Sequence, residues 1–111
     1  MIDRSKIEER IVEFQRREAE LRGMIDVLDQ WKLQRIEFQR SLDTLNLYQG
    51  NVVYKLYGSV VIPIEKSKAI KEVSTNLELI DNKIKELEQQ VKVKGEALER
   101  LRSALEQELK G

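Results

Sequence analysis

The side chains of this sequence that could do chemistry are carboxylates and cationic groups, 20 of each sign. With no His and no Cys, the commonest general base near neutral pH, the thiolate nucleophile and the usual transition-metal ligands are missing. Paired carboxylates such as Glu8/Glu9 and Glu86/Glu88 remain as candidates for acid–base work. The acids are spread along helix faces at helical spacing, so these pairs read as solvated-face charges rather than a catalytic dyad. There is no Gly-rich phosphate loop, nucleophile elbow or EF-hand-like run. The basic pairs at 16–17 ("RR") and 92–94 ("KVK") are short and interleaved with acids, unlike the stripe that nucleic acid requires. The expectation is a protein that is not an enzyme and uses no cofactor, no metal and no nucleic acid.

The elements that carry these charges are helical by composition. In 111 residues, enough for a single domain over 1–111, 36% are charged and one is Pro, which favours long solvated helices over a thick globular core. Equal numbers of acids and bases leave no net attraction for nucleic acid or anionic lipid. The N-terminus is charged from Asp3 onward and lacks the apolar core of a signal peptide. No apolar run approaches the ~18 residues that span a bilayer, so no membrane role is expected and a cytoplasmic location is.

Residues 3–46 and 67–110 are expected as two helices. Acid-before-base spacings of four, at Glu13/Arg17, Glu18/Arg22, Asp81/Lys85, Glu88/Lys92, Glu96/Arg100 and Glu106/Lys110, support solvated faces. The second helix carries a coiled-coil seam with alternating steps of three and four. Ile70, Leu77, Ile84, Val91, Leu98 and Leu105 form one row, and Val73, Ile80, Leu87, Lys94, Leu101 and Glu108 the other. The first helix follows the same rhythm through Ile7, Ile11, Phe14, Leu21, Ile25 and Leu28, broken at Glu18. Beyond Leu28, Trp31, Phe38, Leu42 and Leu45 fit a seam displaced by three residues, a stammer. Trp31 either plugs the seam there or marks a partner contact. Folding the chain back at its middle predicts an antiparallel pair with Phe14 facing Leu98, Ile11 facing Leu101 and Ile7 facing Leu105. The same register sets Glu18 against Lys94 and Arg4 against Glu108, so that both polar interruptions meet an opposite charge.

Between the helices, 51–64 is expected as a β-hairpin. "VVYKLY" and "VVIPI" flank Gly58-Ser59, and Gly at the first central position suits a type II′ turn. Pro63 lacks an N–H and belongs at a strand end or unpaired edge. Val52, Tyr54 and Leu56 fall on one face and Val53, Lys55 and Tyr57 on the other, so neither face is properly polar. An isolated hairpin is marginal in water, and both of its edges carry unpaired backbone groups. Hairpins of several subunits joining edge to edge into sheets or β-barrels would solve both problems. A hairpin folded onto its own helices could cover one face but not two edges. The fold class is therefore mainly α, an antiparallel two-helix coiled coil with a central β-hairpin as assembly hub.

The stretch "VVYKLYGSVVIPIEKSKAIKEVSTNLELIDNKIKEL", with its V-Y-K-x-x-G core between two heptad helices and K-A-x-x-E leading into the second, resembles the β-class subunits of archaeal-type prefoldin. A single hairpin fits the β type, since α-type subunits carry two. "NLYQGN" before the hairpin and Pro63 within it depart from the usual pattern. The resemblance implies an ATP-independent chaperone, a hetero-hexamer with two α-type and four β-type subunits. It also implies partners: an α-type prefoldin subunit, unfolded polypeptides and a group II chaperonin that receives them. Carried onto this sequence, assembly would use Val52, Val53, Tyr54, Leu56, Tyr57, Val60, Val61, Ile62 and Ile64. Clients would meet Ile2, Ile7 and Ile11 from one terminus and Leu101, Leu105 and Leu109 from the other. Phe14 and Leu101 also read as plain seam positions, whereas Ile2 and Leu109 lie near enough to the ends to be exposed. The competing reading is a structural coiled-coil scaffold that oligomerises through the hairpin and holds no client.

Overall fold

The computed structural model describes residues 3–111. Helix α1 spans Arg4–Leu47, strand β1 Val52–Tyr57, strand β2 Val60–Glu65 and helix α2 Lys66–Lys110, which is the expected order with bounds moved by a residue or two. β2 runs straight into α2. The chain divides into two compact units, one of Met1–Asp29 with Lys85–Gly111 and the other Gln30–Ile84. Both helices contribute a segment to each unit.

In the first unit the helices are antiparallel, since Arg10 of α1 pairs with Glu108 of α2 while Leu21 lies against Gly95. Ile7, Ile11, Phe14, Glu18 and Leu21 are half-buried, Leu28 is buried, and Leu105 is buried opposite them. Two details correct the sequence reading. The seam turns in Met24 and leaves Ile25 exposed, so the stammer falls at Leu21–Met24, about two turns earlier than expected. An unbranched Met tolerates such a shift in packing direction. On α2, Lys94 is exposed and Gly95 takes the half-buried place; the Cβ that Gly95 lacks would sit 3.9 Å from Leu21 Cδ2.

The expected charge register is also corrected. Arg22 donates to Glu18 at 2.7 Å, Arg4 pairs with Glu8, and Arg10 reaches Glu108. The helices are thus displaced by about one turn from the register that matches Glu18 with Lys94. Exposed ion pairs contribute only ~0–1 kcal/mol each. The apolar seam and the covalent connection through the hairpin outweigh them.

The second unit holds the hairpin and the helix segments beside it. Val52 pairs with Glu65, Tyr54 with Pro63, Leu56 with Val61 and Tyr57 with Val60. The two-residue turn places Gly58 at φ 57°, and no other described residue has positive φ, which is the type II′ geometry expected for Gly-Ser. The ladder continues past the strands, where Lys66 N–H donates to Asn51 C=O at 2.8 Å. Lys66 Nζ also donates to the Tyr48 carbonyl, tying the start of α2 to the exit of α1. Below the hairpin, Trp31, Arg35, Phe38, Leu42 and Leu45 are half-buried, with Ala69, Ile80 and Ile84 buried on α2. Trp31 occupies the displaced seam, with the Lys83 ammonium 5.9 Å from its ring centroid. Asp81, expected to pair along its own helix with Lys85, is instead bonded across to Arg35.

Candidate functional site

The strand period of two separates the hairpin residues into two groups. Val52, Tyr54, Leu56 and Val61 share the outer face and all are exposed, Tyr54 at 72% and Leu56 at 67%. On the inner face Val53 and Ile64 are paired and half-buried, turned toward Leu45, Ala69 and Val73 across a groove of about 460 Å³. The hairpin therefore leans on its own helices at its base, the arrangement that covers one face only. Toward the turn, Tyr57, Val60 and Ile62 remain exposed. Of the nine residues placed at the hub, Val53 and Ile64 serve the chain's own packing, and the other seven present apolar surface to water.

Lys55 belongs to the inner face and is neutralised there. Its Nζ lies 2.8 Å from Glu72 Oε2 and 4.8 Å from the centroid of Tyr57. The Glu72 bond, followed by the Tyr57 hydroxyl, raises the Lys55 pKa, and Lys55 in turn lowers that of Glu72. This pair lets a charged residue lie beneath the sheet without a free ammonium facing the groove. Sequence spacing gave no sign of it, because the two residues meet only once the hairpin folds down.

At the other site, among the described residues placed at the client-binding end, Ile7, Ile11 and Leu101 are half-buried in the seam and Leu105 is 6% exposed. Leu109 is 62% exposed. Ile2 lies outside the described residues. Phe14 and Leu101 thus occupy the seam, as their spacing suggests. Glu13 sits on the solvated face nearby, where hydrogen bonds from Arg16 and then Arg17 hold its carboxyl down at about 2. No helix among the described residues is long and apolar enough to cross a membrane.

The profile of the family described as "Prefoldin subunit" matches residues 8–111, and the chain belongs to that family. It is of the β type. The prefoldin β subunit of Methanospirillum hungatei is 26% identical over 96% of this chain and 89% of its own length. Prefoldin subunit 6 of Saccharomyces cerevisiae is 41% identical over 53% of this chain. That match spans about half, 52%, of the yeast protein. Among solved structures, the prefoldin β subunit of Thermococcus strain KS-1 superposes with a TM-score of 0.87 at 21% identity, over 96% of this chain and 94% of that one. The shared fold is the helix–hairpin–helix described above. Prefoldin family members are chaperones.

Proposed function

We propose that residues 1–111 form one prefoldin-like domain that serves as the β-type subunit of an ATP-independent holdase. It assembles with an α-type subunit, two α to four β, through the hairpin. It binds non-native polypeptide at the terminal ends of its helices and passes it to a group II chaperonin, acting in the cytoplasm. The observation that carries the reading is the exposed apolar hairpin of the second unit. Val52, Tyr54, Leu56, Tyr57, Val60, Val61 and Ile62 are all open to water in the single chain, and a patch of that kind marks an interaction surface. The helix ends supply the second requirement, since terminal turns open at low cost and Leu109 is exposed already.

The test is light scattering of a chemically unfolded client diluted into the chain mixed with an α-type subunit, without ATP. Full-length protein is expected to suppress aggregation, and a chain lacking residues 1–11 and 101–111 is expected to assemble without suppressing it. No suppression by an assembled full-length complex would refute the holdase. One observation favours a second reading, a scaffold without clients. Leu105 is buried in the seam, so in the closed state much of the expected client surface is already occupied by the chain itself.

A further inference from the structure

On α1 of the second unit, Trp31, Arg35, Phe38, Leu42 and Leu45 are half-buried and mark the face turned to α2. At 3.6 residues per turn, Leu33, Ile36, Arg40, Asp43 and Leu47 fall together on the opposite face. All are exposed, Leu33 at 63% and Leu47 at 82%. Their steps alternate three and four, the rhythm of a second coiled-coil seam. Among the described residues nothing covers it.

The charged centre of this stripe is unpaired as well. Elsewhere in the chain Arg16 bonds Glu13 and Glu20, and Arg102 bonds Glu99 and Glu106, at spacings of three and four. Arg40 and Asp43 stand three apart without bonding each other, and among the described residues neither enters an ion pair. Asp43 accepts a 3.0 Å bond from Gln39 Nε2, and Arg40 borders the edge of the hairpin groove.

Turned end for end, the stripe is its own complement. In an antiparallel pair of copies with Arg40 opposite Asp43, Ile36 faces Leu47, Asp43 faces Arg40 and Leu47 faces Ile36. The two copies are then related by a two-fold axis, and one patch serves both. Flanking positions bring Gln39 beside Asn46 and Glu37 beside Thr44, with no like charges in contact. Leu33 reaches the exit turn of the other copy, where the Tyr48 ring lies over Gly50. A parallel pairing would instead set Arg40 against Arg40 and Asp43 against Asp43, which like-charge repulsion opposes.

We infer that the back of α1, from Leu33 to Leu47, is a docking surface for a second copy of this chain. The contact joins α1 to α1 and uses none of the hairpin's outer face, so it is separate from the hub and independent of client holding. Apolar layers on either side of the charges supply affinity, and the Arg40–Asp43 contacts fix direction and register. One short helix face buries less than the ~1,200 Å² of a standard interface, so the pairing is reversible and concentration-dependent.

The test is sedimentation equilibrium of the full chain alone, from micromolar to millimolar, with charges exchanged between copies. Wild type is expected to form a reversible dimer. Arg40→Asp and Asp43→Arg each set like charges against one another in that dimer and should weaken it about tenfold or more. An equal mixture of the two variants restores opposite charges at both contacts, and dimerisation should return to near the wild-type value. Ile36→Gln, on the same exposed face, should weaken the dimer with the charges intact, and circular dichroism checks that each variant is folded. An absent wild-type dimer overturns the inference, as does one that ignores the single swaps or that the mixture fails to restore. A monomeric chain whose Arg40→Asp variant loses only its α-type partner makes that subunit the occupant, and the inference falls. The full swap pattern in a chain whose complex fails to hold clients upholds the inference and refutes the holdase instead.

Discussion

Replacing Leu56 with Lys and Val61 with Glu should abolish assembly and spare the fold. The two residues face each other across the hairpin, and they are 67% and 56% exposed in the single chain. Fully burying a Leu or Val side chain is worth ~1.5–3 kcal/mol. Covering the exposed two-thirds of Leu56 and half of Val61 on assembly thus contributes about 2–3 kcal/mol. Losing that weakens association by roughly 30–150-fold, and burying two charges in place of alkyl groups only adds to the loss. Within the chain the new Lys and Glu attract each other directly across the strands. Surface changes of this kind typically alter folding by no more than about 0.5 kcal/mol. Sedimentation velocity with an α-type subunit measures the first quantity and thermal melting of the isolated chain the second. Association within threefold of wild type would refute the claim that this face is what assembly covers, and a collapse in melting temperature would refute the claim that the face is idle in the single chain.

The other expectations are more local. Gly23 and Gly95 lie inside helices with no obstructing atom closer than 3.9 Å to an added Cβ, so Gly23→Ala and Gly95→Ala should each stabilise the chain by about 0.5–1 kcal/mol. A fall in melting temperature for either would mean that the stammer needs the flexibility of Gly. Glu13, held at about 2 against an ordinary 4.5, has a folded pKa below its unfolded one. Its stabilising contribution is therefore present above 4.5 and lost as pH falls toward 2. Carboxyl NMR of wild type and of Arg16→Gln with Arg17→Gln checks this, with the midpoint returning to the ordinary range in the variant. Because the chain has no Cys, Arg10→Cys with Glu108→Cys and a short bis-maleimide closes the terminal end of the seam selectively. Cross-linking should reduce client holding several-fold if Leu105 acts by becoming exposed, and undiminished holding would show that clients use only surface that is already open.

Some of this architecture was legible in the residue order because it rests on local chemistry. Gly58-Ser59 specifies its turn through the φ that only Gly adopts cheaply, and the three–four rhythm through Ile80, Ile84 and Leu105 picks out residues that are buried. Trp31 too fits the displaced seam its spacing suggested. The helix register was misread because matching Glu18 to Lys94 gave weight to exposed charges, which have ample alternatives; Arg22, one turn away, satisfies Glu18 at 2.7 Å. The place of the stammer was missed for a related reason. Met24 and Ile25 are both apolar, and only the folded packing, which half-buries Met24 and leaves Ile25 exposed, separates them. The Lys55–Glu72 pair and the leaning of Val53 and Ile64 toward Leu45 depend on the angle at which the hairpin meets its helices, which no pattern along the chain encodes.

The two candidate surfaces differ in a way that follows from their secondary structure. A two-stranded hairpin has no means of hiding its outer face, so Tyr54, Leu56 and Val61 stay wet in the single chain and need an external partner whenever one is available. A coiled-coil seam hides its apolar residues by default, as Leu105 shows, and exposes them only when terminal turns separate. Permanent exposure suits a contact that should form once and persist. Conditional exposure suits one that must form and break with unrelated sequences, because the free energy of reclosing the seam competes with the client and keeps its residence short. Under the proposed holdase function the stability of the last turns would set how tightly a client is held, and an end-turn pair such as Arg10–Glu108, of little weight in the fold as a whole, would bear directly on that balance.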